Sequence, residues 1–168
     1  TTPLRVAIMT DLPGLLGDFQ AMRAAEGKAL AAVLTGQLDL IADLTSAAQH
    51  ETAARTATQA DTLREGLARV LSATDAVDPA RLAQELALLA LKTDVTEELD
   101  RLAAHVEAAR AHVADSAPAG RKLDFLMQEF MREANTLCSK AQSLALTRIG
   151  LDLKTVIDQM REQVQNVE

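Results

Sequence analysis

Apolar residues in this chain recur at spacings of three and four over most of its length, the period of an amphipathic helix. Phe19, Met22, Leu30, Val33, Leu34, Ile41 and Leu44 form a first stripe. Residues 42–61 are rich in Ala and Thr and carry few large apolar side chains; Leu63, Leu67, Val70 and Leu71 then restore the stripe. A continuous helix from Phe19 to Val70 would extend roughly 75 Å, longer than a compact domain of this size is wide. The pattern therefore predicts either one long arm or a hairpin near His50, and compactness favours the hairpin. Residues 1–17, with Pro3, Pro13 and Gly14, read as a linker or lead-in.

Ser72 to Asp78 reads as a turn, and Asp78-Pro79 as a helix start with its cap and first-turn proline. Leu82, Leu86, Leu89 and Leu91 mark the helix that follows; Thr93 or Asp94 caps the next, over Val95 to Ala114. On that helix Leu99, Leu102 and Val106 are core candidates, while Asp94, Glu98, Arg101 and His105 line the opposite side. Ala-Pro-Ala-Gly, ending at Gly120, reads as a loop. Beyond it Leu123, Met127, Phe130, Ala134, Leu137 and Ala141 form one stripe of a helix to Lys140. A final helix, Thr147 to Val167, buries Leu151, Val156, Ile157, Met160, Val164 and Val167. The fold expected is all-α: an antiparallel helical bundle over residues 78–168, with a helical extension or hairpin over 18–77.

Composition agrees. Three Phe and no Trp or Tyr, with scarce Gly and Pro, favour helix over sheet. A single cysteine, Cys138, fits a reducing compartment. No signal-peptide pattern and no uninterrupted apolar run of membrane-spanning length are evident, so a soluble cytoplasmic protein without membrane contact is expected. The net charge of −7 opposes a simple nucleic-acid binder. However, Gly120 to Glu168 holds seven basic and seven acidic residues, so the acidic excess lies upstream.

The helix from Gly120 to Lys140 is the densest in chemistry. Glu129 and Glu133 lie one turn apart, so their carboxylates can converge on one hard cation, Mg²⁺ or Mn²⁺. Acids at this spacing are also ordinary on solvated helices. His105 is a candidate acid/base or ligand, or a hydrogen-bonded helix residue. His50 and His112 read as solvent-facing. Arg121, Lys122, Arg132, Lys140 and Arg161 are candidate phosphate contacts; surface pairing, as of Glu129 with Arg132, is the alternative. Asp124 and Gln128 are candidates for bridging neighbouring helices. Few aromatic side chains are available for stacking on bases.

The strings GRKLDFLMQEF, REANTL and SK, then QMREQVQNVE, resemble the C-terminal region of the YicC/YloC-type bacterial endoribonucleases. RLAQELALLALKTDVTEELDRLAAH upstream matches the same family, and MRAAEGKAL is similar to the start of its helical part. The resemblance is dense from Asp78 to Glu168 and thin from Met22 to Val77. It implies a metal-dependent endoribonuclease acting on RNA rather than DNA. His105, Glu129, Glu133 and Arg132 would be catalytic, with the first three as ligands of a divalent cation. Arg121, Lys122, Lys140 and Arg161 would hold RNA. It also implies a closed homo-oligomer, similar to a hexamer of clamshell shape, with self-association expected through Phe19 to Leu71. The competing expectation is a non-catalytic module that oligomerises or holds RNA for another nuclease. A separate domain precedes this region in the family, so the chain is expected to be a fragment or to have lost that domain. Cys138, Met131 and Ala141 stand where the family usually has glycine, asparagine and serine. Cys138 is accordingly expected to be a small packing residue rather than a nucleophile.

Overall fold

The computed structural model describes residues 2–73, 78–115 and 117–167, and their side chains except those of 56–64, 67, 70–73, 79 and 89. The all-α expectation holds. Five helices follow in order, α1 (Thr2–Ala73), α2 (Pro79–Thr93), α3 (Thr96–Ala114), α4 (Gly120–Lys140) and α5 (Leu144–Val164), with no strand among the described residues.

The hairpin expected near His50 does not form: α1 is one helix of 72 residues, about 110 Å long at 1.5 Å per residue. No Gly, Pro or Asn lies in the Ala/Thr-rich segment to provide a turn. Its threonines instead return their hydroxyls to the preceding turn, Thr45 to the Ile41 carbonyl at 2.7 Å and Thr52 to Ala48 at 2.8 Å. The lead-in expected over residues 1–17 is also helical from Thr2, with Pro13 inside the helix. Residues 2–29 are exposed, so Phe19 and Met22 do not reach the core, and neither does Val33. The expected stripe of Leu63, Leu67, Val70 and Leu71 lies outside the described side chains, and part of the expected turn at 72–78 lies outside the described residues. By length and composition, α1 also contains a stretch within Thr2–Arg55 apolar enough to cross a membrane, 22% of it buried. Counting uninterrupted apolar runs misses such a stretch, because scattered polar residues divide it.

The middle of α1 is the part that packs. Leu34, Leu38, Ile41, Thr45 and Ala48 are buried at alternating steps of four and three, one face laid against α3 and α5. Arg110 of α3 reaches Asp39 of α1 at 2.7 Å. Ser143, just before α5, donates to Glu51 at 3.4 Å. The remaining core comes from Leu99, Leu102, Val106 and Ala109 of α3, Leu123, Met127, Phe130, Ala134 and Leu137 of α4, and α5. Short connections, 115–119 and 141–143, make α3, α4 and α5 successive antiparallel neighbours. Gly120 is the first residue of α4 rather than a loop glycine, and no described residue has positive φ.

Asp78 caps α2 as expected, its carboxylate accepting from the Ala80 N–H at 3.0 Å. Leu82 and Leu86 are half-buried and Leu91 is exposed; Leu89 lies outside the described side chains. At the start of α3 the Asp94 carboxylate accepts from the Thr96 N–H at 2.9 Å and the Thr96 hydroxyl at 2.7 Å. Helix α5 starts three residues earlier than expected, capped by Ser143, whose Oγ accepts from the Leu146 N–H at 3.0 Å. Its buried face is Leu146, Gly150, Leu153, Ile157, Met160 and Val164, so Leu151 points outward. Gly150 is required by contact: a Cβ there would stand 2.5 Å from Cys138 Sγ on α4. Cys138 of α4 thus packs against Gly150 of α5.

Two expectations follow. Gly150→Ala gains about 1 kcal/mol of helix propensity but loses about 1–3 kcal/mol to overlap with the sulfur. Chemical denaturation should show net destabilisation, and adding Cys138→Ala should restore stability by removing Sγ. The Asp94 carboxyl is held below its ordinary pKa by hydrogen bonds from the Thr96 hydroxyl and N–H, aided by Lys140. A depressed carboxyl pKa stabilises the fold above the unfolded value of about 3.9, and the contribution is lost as pH falls through the folded value. Asp94→Ala should therefore cost about 1 kcal/mol at pH 7. That cost, measured by thermal melts, should shrink only below the ordinary aspartate range.

Candidate metal centre

The three residues expected to hold a cation converge across the seam of α3 and α4. His105, Glu129 and Glu133 each offer one donor atom, and these atoms lie within 4.8 Å of one another. The i, i+4 spacing of the glutamates puts both on one face of α4, and antiparallel packing brings His105 of α3 opposite them. Donor atoms this close fit the shell of one ion, whose opposite ligands stand about 4–5 Å apart.

Their surroundings are unlike those of a solvated helix face. Glu133 is buried with 2% exposure, among the most enclosed side chains of the core. Glu129 and His105 are half-buried. The His105 ring meets Phe130 edge-on, with centroids 5.7 Å apart and planes at 76°, which fixes one side of the imidazole in apolar contact. Its Nε2 is buried without a hydrogen-bond partner. A buried, unsatisfied imidazole nitrogen normally costs about 1–3 kcal/mol. On a ring grouped with two carboxylates, a nitrogen left without a partner fits a metal-binding histidine.

Two guanidinium groups touch the acids from outside. Arg101, one turn before His105, donates from Nη1 to Glu133 Oε1 at 3.4 Å and from Nη2 to Glu97. Arg132 lies 3.7 Å from Glu129, the surface pairing the sequence allowed. Arg101 is the residue to which the sequence reading assigned no role, although its position one turn from His105 was visible. Its contact with Glu133 spans 32 residues of chain and depends on how α3 meets α4.

The other candidates are distributed along α4 and α5. Arg121 and Lys122 are exposed at the start of α4, about 12 Å along its axis from Glu129. Arg161 is exposed near the end of α5. Lys140 closes the opposite end of the seam, its Nζ donating to Glu98 Oε1 at 2.8 Å and to the Asp94 carbonyl at 2.9 Å. Glu98, read as outward-facing, is buried under this contact. Asp124 and Gln128 bond each other within α4 at 3.1 Å rather than bridging helices. His50 is exposed; His112 is half-buried, so only the first is fully solvent-facing.

The sequence of the chain matches a described family of proteins. The model of the family described as "Endoribonuclease YicC-like, C-terminal" matches residues 48–168, most of the chain and all of α2 to α5. The chain is 42% identical over 161 residues to the probable endoribonuclease YicC of Haemophilus influenzae, covering 96% of this chain and 55% of that protein. It is 32% identical over 147 residues to the protein of the same name from Clostridioides difficile, covering 88% of this chain and 50% of that one. The chain thus spans about half the length of the curated relatives it matches. With the family's C-terminal pattern matched across the residues that build the seam, this chain belongs to the YicC-like endoribonuclease family.

Proposed function

We propose that this chain carries the metal-dependent chemistry of an endoribonuclease, with His105, Glu129 and Glu133 as the ligands of Mg²⁺ or Mn²⁺. The observations that support it most are the grouping of the His105 ring with two carboxylates and the buried, unpartnered Nε2 of that ring. A mixed imidazole and carboxylate set favours Mn²⁺ over Mg²⁺, which takes oxygen ligands almost alone. The endoribonuclease names of the relatives support RNA as the substrate.

Bound there, a divalent cation supplies Lewis acidity toward phosphoryl oxygen and an acidified water near neutral pH. The chain's own residues do the rest. Glu133, enclosed and fixed, holds its place in the core, while Glu129 is half-buried and reachable from solvent. Arg132 is 68% exposed at its side chain and can turn toward a phosphate to neutralise charge in the transition state. Arg121, Lys122 and Arg161 are exposed cations for the flanking backbone. Lys140, engaged with Glu98 and Asp94, has one remaining donor for that purpose.

Self-association belongs to the same proposal. Leu4, Val6, Ile8, Met9, Leu12, Leu15, Leu16, Phe19 and Met22 are all exposed on α1, more apolar surface than a monomer ordinarily leaves in water. The support therefore falls on the first part of α1 as well as the expected span from Phe19.

Cleavage of RNA by the purified chain should require Mn²⁺ or Mg²⁺ and stop on chelation. Glu133→Gln should lower turnover by at least about a hundredfold, with helicity by circular dichroism unchanged. Products should carry 5′-phosphate and 3′-hydroxyl ends. Cyclic-phosphate ends formed in chelator would sink the metal reading, and RNA binding without cleavage under any metal would favour the RNA-holding module. Light scattering should find an oligomer that Leu15→Asp with Phe19→Asp dissociates; a monodisperse monomer at high concentration would count against assembly.

A further inference from the structure

We propose that Arg101 is the exchangeable counter-ion of Glu133, released toward a phosphodiester when a divalent cation takes that carboxylate. The inference rests on the metal reading above and adds a coupling between cation and RNA binding.

The two partners differ in freedom. Glu133 has a side chain 3% exposed and sits among packed core residues, so it cannot swing away. A carboxylate this deep needs a positive partner to remain charged. Arg101 is the guanidinium that reaches it, and the 3.4 Å contact is long for a charge-assisted hydrogen bond. Arg101 itself is 47% exposed and divides its fork between Glu133 and Glu97, which is 69% exposed. It holds the acid without being enclosed by it.

A cation on Glu133 and the Arg101 guanidinium would place two positive centres on one anionic group. The buried acid stays, and the exposed arginine is the group able to move. Glu97 keeps Arg101 tethered beside the seam, so the freed nitrogen donors remain close to the site. A guanidinium presents paired donors in a plane that matches two phosphate oxygens. Arg101 then grips RNA best when the metal is present. By linkage, RNA raises metal affinity by the same factor that metal raises RNA affinity.

The removal of Arg101 has a sign that separates this role from simple support of Glu133. A counter-ion opposes the metal, so its loss tightens metal binding; a prop holds the ligand in place, so its loss weakens metal binding. The test uses the full chain, Mn²⁺ alone by isothermal titration, and a short 2′-O-methyl RNA by fluorescence anisotropy, its integrity checked by electrophoresis. Arg101→Gln should bind Mn²⁺ at least about threefold more tightly than wild type, while the gain in RNA affinity on adding Mn²⁺ falls by at least about threefold. Arg101→Lys, which keeps the charge but not the fork, should stay near wild type in Mn²⁺ affinity and lose part of the RNA gain, and thermal melts should show all three proteins folded. Weaker or unchanged Mn²⁺ binding by Arg101→Gln, with Glu133→Gln losing Mn²⁺, would overturn the counter-ion role and leave the metal reading intact. Equal Mn²⁺ binding by wild type and Glu133→Gln would overturn both.

Discussion

A carboxylate buried in a helical core is the constraint around which the rest of this structure is arranged. Glu133 lies among Phe130, Ala134 and Leu137, on the face of α4 that forms the core. Taking a carboxylate out of water costs several kcal/mol unless other groups compensate. Here the compensation comes from Arg101, at a long 3.4 Å. Glu129 adds a second negative charge rather than relieving the first. The burial is thus better suited to receiving a cation than to stabilising the helix pair by itself.

The seam that holds Glu133 is a polar ladder laid across an apolar interface. Reading along antiparallel α3 and α4, Glu98 meets Lys140, Arg101 meets Glu133, and His105 lies beside Glu129. Lys140 fixes one end, because it also reaches the Asp94 carbonyl before α3 begins. Phe130 fixes the other, against the edge of the His105 ring. Hydrophobic burial brings the helices together; these contacts select the register in which the chemistry aligns. A shift of one turn along either helix would move a partner by about 5.4 Å and break the ladder.

Helix α1 supplies a wall rather than a member of the site. Its middle segment covers α3 and α5, and its earlier part, residues 2–29, stays exposed. Among the described side chains of α1, the fully buried ones run from Leu34 to Ala48. Exposed leucines on the earlier part contribute nothing to the bundle core. The same helix therefore serves two physical roles, burial in its middle and apolar surface toward its start.

The sequence by itself determined the helices and the chemistry each could carry. The period of apolar residues placed α4, though not its first residue, and Asp78-Pro79 marked the start of α2, because capping and periodicity are local properties. The spacing of Glu129 and Glu133 likewise put two acids on one face without any tertiary information. Compactness misled the reading of α1, since turn formation depends on local residues and none near His50 favoured a turn. A glycine carries no apolar signal, so the sequence points to Leu151 as core, whereas the structure packs Gly150 inside and leaves Leu151 exposed. Only the tertiary structure decided that His105 meets the glutamates, that Arg101 holds Glu133 and that Lys140 covers Glu98. Those contacts join residues far apart in the chain, and their register follows from how two helices pack, which no single helix encodes.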